Sequence, residues 1–224
     1  FAGYVENALY EDLYEDASTF GNIGSLRLKG KEKQYYEDIK QKILDIADGK
    51  RTSTKVVLDV RFTWTAEELG VEKVTYANYG DLISKKYLEE IDINRIWGYL
   101  LGDCPYAMYW YDKTMSAPVL YYTSIAEDGK SATVYDITMN LPVAQEYRDL
   151  TVAPEEQPYT FNASLSQSVA EAKKNAQEIV DKYKDLSRYE KMEAYSEEIM
   201  ELTSYNTPAG NGEITQYGNP WQLI

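Results

Sequence analysis

The chain contains no histidine in 224 residues and a single cysteine, Cys104. Histidine is the side chain that titrates near neutrality and the usual proton partner of a nucleophilic Ser or Cys. Its absence excludes Ser-His and Cys-His sites within this sequence, and zinc chemistry would have to run on carboxylates alone. One cysteine forms no internal disulfide, so a disulfide scaffold is excluded as well. No apolar run approaches the ~20 residues needed to cross a bilayer. Basic excess is also missing: 37 acidic residues against 23 basic ones give a net charge of −14. That balance repels phosphate backbones and anionic headgroups, so nucleic acid is not an expected partner.

Tyrosine, by contrast, is abundant, with 22 Tyr beside 4 Trp and 4 Phe. A tyrosine buries its ring while keeping its hydroxyl wet, which suits half-buried surfaces and binding faces. The densest aromatic group is Tyr106, Tyr109, Trp110, Tyr111, Tyr121 and Tyr122. These residues are the candidate binding positions, for peptide or glycan; ordinary sheet packing is the competing reading. In a regular strand Tyr109 and Tyr111 share one face, and Tyr106 and Trp110 the other.

Hydrophobic spacing organises the rest. Tyr36, Ile39, Ile43 and Ile46 recur at three and four within residues 31–48 and predict a helix, with Gly49 as its C-cap. Val56, Leu58, Val60, Phe62 and Trp64 occupy every second position and predict one half-buried strand. A second helix is expected from Ser84 to Leu101, with Leu88, Ile91, Arg95, Ile96, Tyr99 and Leu100 inward, and a strand from Tyr106 to Tyr111. Glu127-Asp128-Gly129-Lys130 lies between two β-rich runs, a strong hairpin signal. Ser164 to Tyr183 and Ser187 to Leu202 read as helices, the second opened by a Ser187/Glu190 capping box, with Met192, Tyr195, Ile199 and Leu202 inward. The expected fold class is α+β, an antiparallel sheet flanked by helices and followed by a helical segment. The expected partition is a lead-in over 1–24, an α+β domain over 25–150, a Pro- and acid-bearing linker over 151–163, and a helical segment over 164–224.

Few residues here carry chemistry. Cys104 follows an aspartate and a helix C-terminus, both of which favour the neutral thiol, so a buried structural role is expected. The carboxylates lie mostly on solvated helix faces, and although a glycosidase needs only two, nothing in the spacing selects a pair. There is no phosphate loop and no metal-spaced cluster, so neither cofactor nor metal is expected. Asn162-Ala163-Ser164 forms a glycosylation acceptor pattern.

The stretch 177–224 resembles the entry to a bacterial transglutaminase-like domain, a papain-related fold. A helix ending QEIVDKYKDLS is followed by YEKMEAYSEEIMELTSYN with its Tyr205-Asn206 pair, then a loop and NPWQLI. The segments LLGDCPYAMYWYDK and PVAQEYRDL are similar to the domain that often precedes this fold. In the family, a Cys-Glu-Gly-type nucleophile follows and works in a Cys-His-Asp triad. Cys104 does not match that position, so the resemblance carries over no catalytic residue. It implies a non-catalytic N-terminal region of a secreted or surface-attached protein, truncated before the catalytic cysteine. Such a region positions its own C-terminal catalytic domain, or contacts peptide or cell-wall polymer, at an extracellular or cell-surface location. The alternative is a self-standing glycan- or peptide-binding surface module.

Overall fold

A computed structural model describes residues 21–203 and 207–213. The lead-in tyrosines Tyr4, Tyr10 and Tyr14, the Tyr205-Asn206 pair and the NPWQLI end lie outside the described residues. The fold is α+β: helices accompany a four-stranded antiparallel sheet. The chain divides into two compact units, one comprising residues up to Lys42 with Val56–Cys104 and Val119–Met139, the other Ile43–Lys55, Pro105–Pro118 and Asn140 onward.

The first unit contains a short helix α1 (Ile23–Arg27) and most of α2 (Gly30–Ala47). Tyr36 and Ile39 of α2 are fully buried, as the sequence spacing requires. Strands β1 (Lys55–Val57) and β2 (Phe62–Thr65) replace the single strand expected over 56–64. The interruption has a local cause. The Asp38 carboxylate accepts hydrogen bonds from the backbone N–H groups of both Asp59 and Val60, which draws those donors away from a ladder. The alternation survives the break, because Val56, Leu58, Phe62 and Trp64 are all buried.

The helix expected from Ser84 to Leu101 is two helices, α3 (Tyr79–Glu90) and α4 (Ile93–Asp103). Asp92 divides them: its side chain caps α4 by accepting from Arg95 N at 3.0 Å, while its own N–H donates to Glu32 Oε1. The inward stripe drawn for one continuous helix therefore fails in part. Ile91, Ile96 and Leu100 are buried, but Leu88 is 71% exposed and Arg95 faces outward to pair with Glu32.

The Asp128-Gly129 hairpin forms as expected, joining β3 (Val119–Ile125) to β4 (Ser131–Asn140). Gly129 takes φ +69°, and a Cβ there would fall 2.8 Å from Val74 O, so only glycine fits the turn. β4 is the central strand, with β1 and β2 on one side and β3 on the other. Its register with β3 shifts between Leu120 and Tyr122, opposite Asp136, which adopts φ +48°. This is a β-bulge, and it resets the phase of β4: Ala132 and Val134 are buried before it, Ile137 and Met139 after it. One sheet face packs on helices through Tyr35–Phe62, Phe62–Tyr87 and Tyr87–Tyr121 ring contacts.

Glu90 ties this layer together. It accepts from Lys31 Nζ at 2.7 Å and Trp64 Nε1 at 2.9 Å and pairs with Lys86 at 2.8 Å. Burial alone would raise its pKa; the hydrogen bonds from Lys31, Lys86 and Trp64 outweigh that and hold it down at about 2.

In the second unit, Tyr109, Trp110, Tyr147 and Phe161 form an aromatic core, with Tyr109 edge-on to Tyr147 at 5.3 Å. The strand expected from Tyr106 to Tyr111 is instead a 3₁₀ turn over Pro105–Ala107 followed by a turn, with one bridge from Tyr111 to Val143. Pro105 has a fixed φ and no N–H, so it opens a turn rather than a ladder. Residues 151–163, expected as a linker, are folded into this unit: Thr160 bridges Ser53, Phe161 bridges Arg148, and Phe161 is fully buried. Helices α5 (Gln167–Lys182) and α6 (Arg188–Leu202) follow, the latter opened by the expected capping box. Tyr195 and Glu198 of α6 meet Tyr183, the residue that caps the end of α5. Met192, Ile199 and Leu202, expected inward, are exposed, because the polar Tyr183–Glu198 contact rather than an apolar stripe sets how α6 turns toward α5.

Two predictions follow from the first unit's construction. Asp136→Gly relieves a left-handed backbone and stabilises by about 0.5 kcal/mol in urea unfolding, whereas Asp136→Val costs about 2 kcal/mol. Glu90→Gln is the second test. A carboxyl depressed in the fold contributes stability above its unfolded pKa of about 4.5 and loses it as pH falls toward about 2. With solvent screening discounted, Glu90→Gln costs roughly 1–2 kcal/mol at pH 7, and the gap to wild type closes between pH 4.5 and pH 2.

Candidate functional site

The tyrosine-rich positions singled out by sequence separate into three environments. Tyr109, Trp110 and Tyr111 are buried in the second unit, and burial raises the phenol pKa values of Tyr109 and Tyr111. Tyr109 also donates its hydroxyl to Ala47 O at 3.0 Å. All three rings are packed in the interior of this unit. Tyr106 is exposed on the 3₁₀ turn, apart from them in character. Tyr121 and Tyr122 lie on β3 in the first unit and line one concavity together.

That concavity is a cleft of about 300 Å³ between the first turns of α3, contributing Tyr79, Gly80 and Ile83, and the strand residues Tyr121, Tyr122 and Thr123. Each wall is fixed by an identifiable contact. Tyr121 stacks on the buried Tyr87 at 5.1 Å. Tyr122, 66% exposed, stacks on Tyr135 at 6.0 Å, and the Arg61 guanidinium sits 5.9 Å over the Tyr135 ring. Tyr79 is met edge-on by Tyr76 at 6.1 Å. The start of α3 is set by Asn78, whose side chain accepts from Thr75 N and donates to Lys73 O instead of capping its own helix. Gly80 keeps the floor open: a Cβ added there meets nothing within 4 Å.

Tyr76, Tyr79, Gly80 and Ile83 were not among the sequence candidates. Their signal was present as Tyr76-Ala77-Asn78-Tyr79-Gly80, two tyrosines and a glycine around a helix start, but their approach to β3 is tertiary. The bulge also left a trace, since the apolar residues of β4 skip from Val134 to Ile137. That skip places the β3 register shift at Tyr121 and Tyr122.

A larger concavity, about 580 Å³, lies at the α3–α4 junction and is lined by Glu32 and residues 88–95. Its acids are engaged in structure: Glu32 pairs with Arg95, Asp92 caps α4, and Glu90 holds Lys31 and Lys86. Among the described residues, Glu68, Glu90, Asp149, Glu190 and Glu198 all have their carboxyl pKa values moved down. A general acid working near neutrality needs the opposite shift. Cys104 is 4% exposed; burial pushes its thiol up to about 11, Lys40 offsetting part of that and Asp103 adding to it. It is a protonated, packed side chain. Among the described residues no group of His, Cys, Asp and Glu has the arrangement of a metal site, and no helix is long and apolar enough to cross a membrane.

Comparison with protein-family models, with characterised proteins and with solved structures finds no match to this chain.

The environments make opposite predictions for substitution. Trp110→Ala removes a fully buried ring and costs about 3–5 kcal/mol in denaturant unfolding. Tyr122→Ala removes an exposed ring and changes stability by less than about 1 kcal/mol.

Proposed function

We propose that this chain is a non-catalytic region of a secreted or surface-attached transglutaminase-like protein, and that its working part is the tyrosine-walled cleft, which contacts peptide or cell-wall polymer. The observation that carries the reading is the cleft itself: aromatic walls held by Tyr87 and Tyr135, with an open floor at Gly80. Rigid tyrosines present large contact area at low entropic cost, which is how many recognition surfaces work. The chemistry of the chain supports a binding role, since the thiol is buried and protonated and the shifted carboxyls are held ionised.

The transglutaminase-like part of the reading rests on the helix pattern over 177–224. The exposed face of α6 agrees with it. Tyr189, Met192, Ile199 and Met200 are all exposed there, an apolar stripe of the kind that further protein covers. A self-standing glycan- or peptide-binding module would use the same cleft.

The test is a binding panel of soluble muropeptides, chito-oligosaccharides and random heptapeptides against the 224-residue chain, with amidase and crosslinking assays alongside. Binding to one class, weakened about 5–10-fold by Tyr79→Ala or Tyr122→Ala, is the expected result. Flat binding across the panel, or robust amide chemistry by this chain, contradicts the reading.

A further inference from the structure

The shape of the cleft says more than its composition. Successive strand residues point to opposite faces of a sheet. Tyr121 faces Tyr87 on the helix-packed side, and Tyr122 faces Tyr135 on the other. Both nevertheless line one cleft together with Thr123. A concavity lined by consecutive residues that belong to opposite faces reaches the edge of the strand, where main-chain groups are presented.

That edge is unusual in two respects. Among the described residues β3 pairs with β4 alone, so its outer side is unpaired over a strand running Val119–Ile125. Natural edge strands are commonly shortened, charged or broken by proline. This one has no charged residue from Pro118 to Ala126, in a chain of net charge −14. The one interruption along it is the register shift between Leu120 and Tyr122.

We propose that the cleft takes an extended, uncharged-to-basic peptide as an added strand on the outer edge of β3, with the first turn of α3 as its opposite wall. This rests on the reading of the cleft as the binding site and names its ligand class. The unpaired N–H and C=O groups of β3 ask for partners at the spacing of a peptide backbone, and alternate side chains of an added strand reach Tyr121 on one face and Tyr122 on the other. A sugar polymer offers hydroxyls without that repeat. Charge selects among peptides: an acidic strand entering a chain of this net charge is repelled, and a basic one is attracted.

The experiment selects binders from a random heptapeptide library against the 224-residue chain and measures backbone amide exchange with and without the synthesised peptides. Neutral and basic peptides are expected to bind, to slow exchange of outward amides within residues 119–125 by tenfold or more, and to lose tenfold or more in affinity when alternate peptide nitrogens are methylated. Gly80→Leu fills the floor and should abolish binding while keeping or raising the melting temperature, which separates a blocked cleft from a lost fold. Three results overturn the proposal. Chito-oligosaccharides or muropeptides that bind at Tyr79 and Tyr122 without protecting 119–125 leave the cleft as the site but remove strand addition. Protection of 119–125 that rises with protein concentration, together with a doubled mass by light scattering, assigns the edge to self-pairing. Failure of every probe to bind removes both the strand addition and the cleft reading.

Discussion

A single backbone feature organises the first unit: the bulge at Asp136. Without the extra residue, the apolar set Ala132, Val134, Ile137 and Met139 could not all face the same core, since alternation would send the second pair outward. The bulge also sets where β3 changes register, and that point is Tyr121 and Tyr122. Tyr121 is thereby delivered to the Tyr87 ring and Tyr122 to the Tyr135 ring. Two stacked pairs, one on each face, flank the strand edge. The cost is one non-glycine residue in a left-handed conformation, which sheets tolerate where a side chain has to be re-aimed.

Much of the secondary structure is legible from local rules. The α2 stripe, the Asp128-Gly129 hairpin and the Ser187 capping box all rest on spacing or turn chemistry within a few residues, and all are present. What local rules miss is competition from distant side chains. Asp38 takes the N–H groups of Asp59 and Val60 and breaks a strand that its alternation extends unbroken. Glu32, far upstream, receives Asp92 N and Arg95 and helps split one apparent helix into two. Likewise α6 turns toward α5 through Tyr195 and Glu198, and no helical periodicity of apolar residues encodes that choice.

The candidate site was half visible. Tyrosine abundance pointed to rings with wet hydroxyls, and Tyr121 and Tyr122 were within the group it marked. Composition does not distinguish a ring that fills a core from one that lines a cleft. Tyr109 and Trp110 are as aromatic as Tyr122, yet Pro105 folds their segment into a turn whose rings pack on Tyr147 and Phe161. The opposite wall, from Tyr79 to Ile83, comes from a helix start whose meeting with β3 is a tertiary event. The state of the thiol, in contrast, was legible: Cys104 follows an aspartate and a helix C-terminus, and it is buried with its pKa pushed up to about 11.

Backbone chemical-shift mapping during titration with heptapeptides and muropeptides tests this account most directly. Perturbations are expected to concentrate at Tyr79–Ile83 and Tyr121–Thr123, with the Glu32 and Leu88–Arg95 groove unmoved. Perturbations centred on that acidic groove, or on the exposed face of α6, with β3 silent, would contradict it.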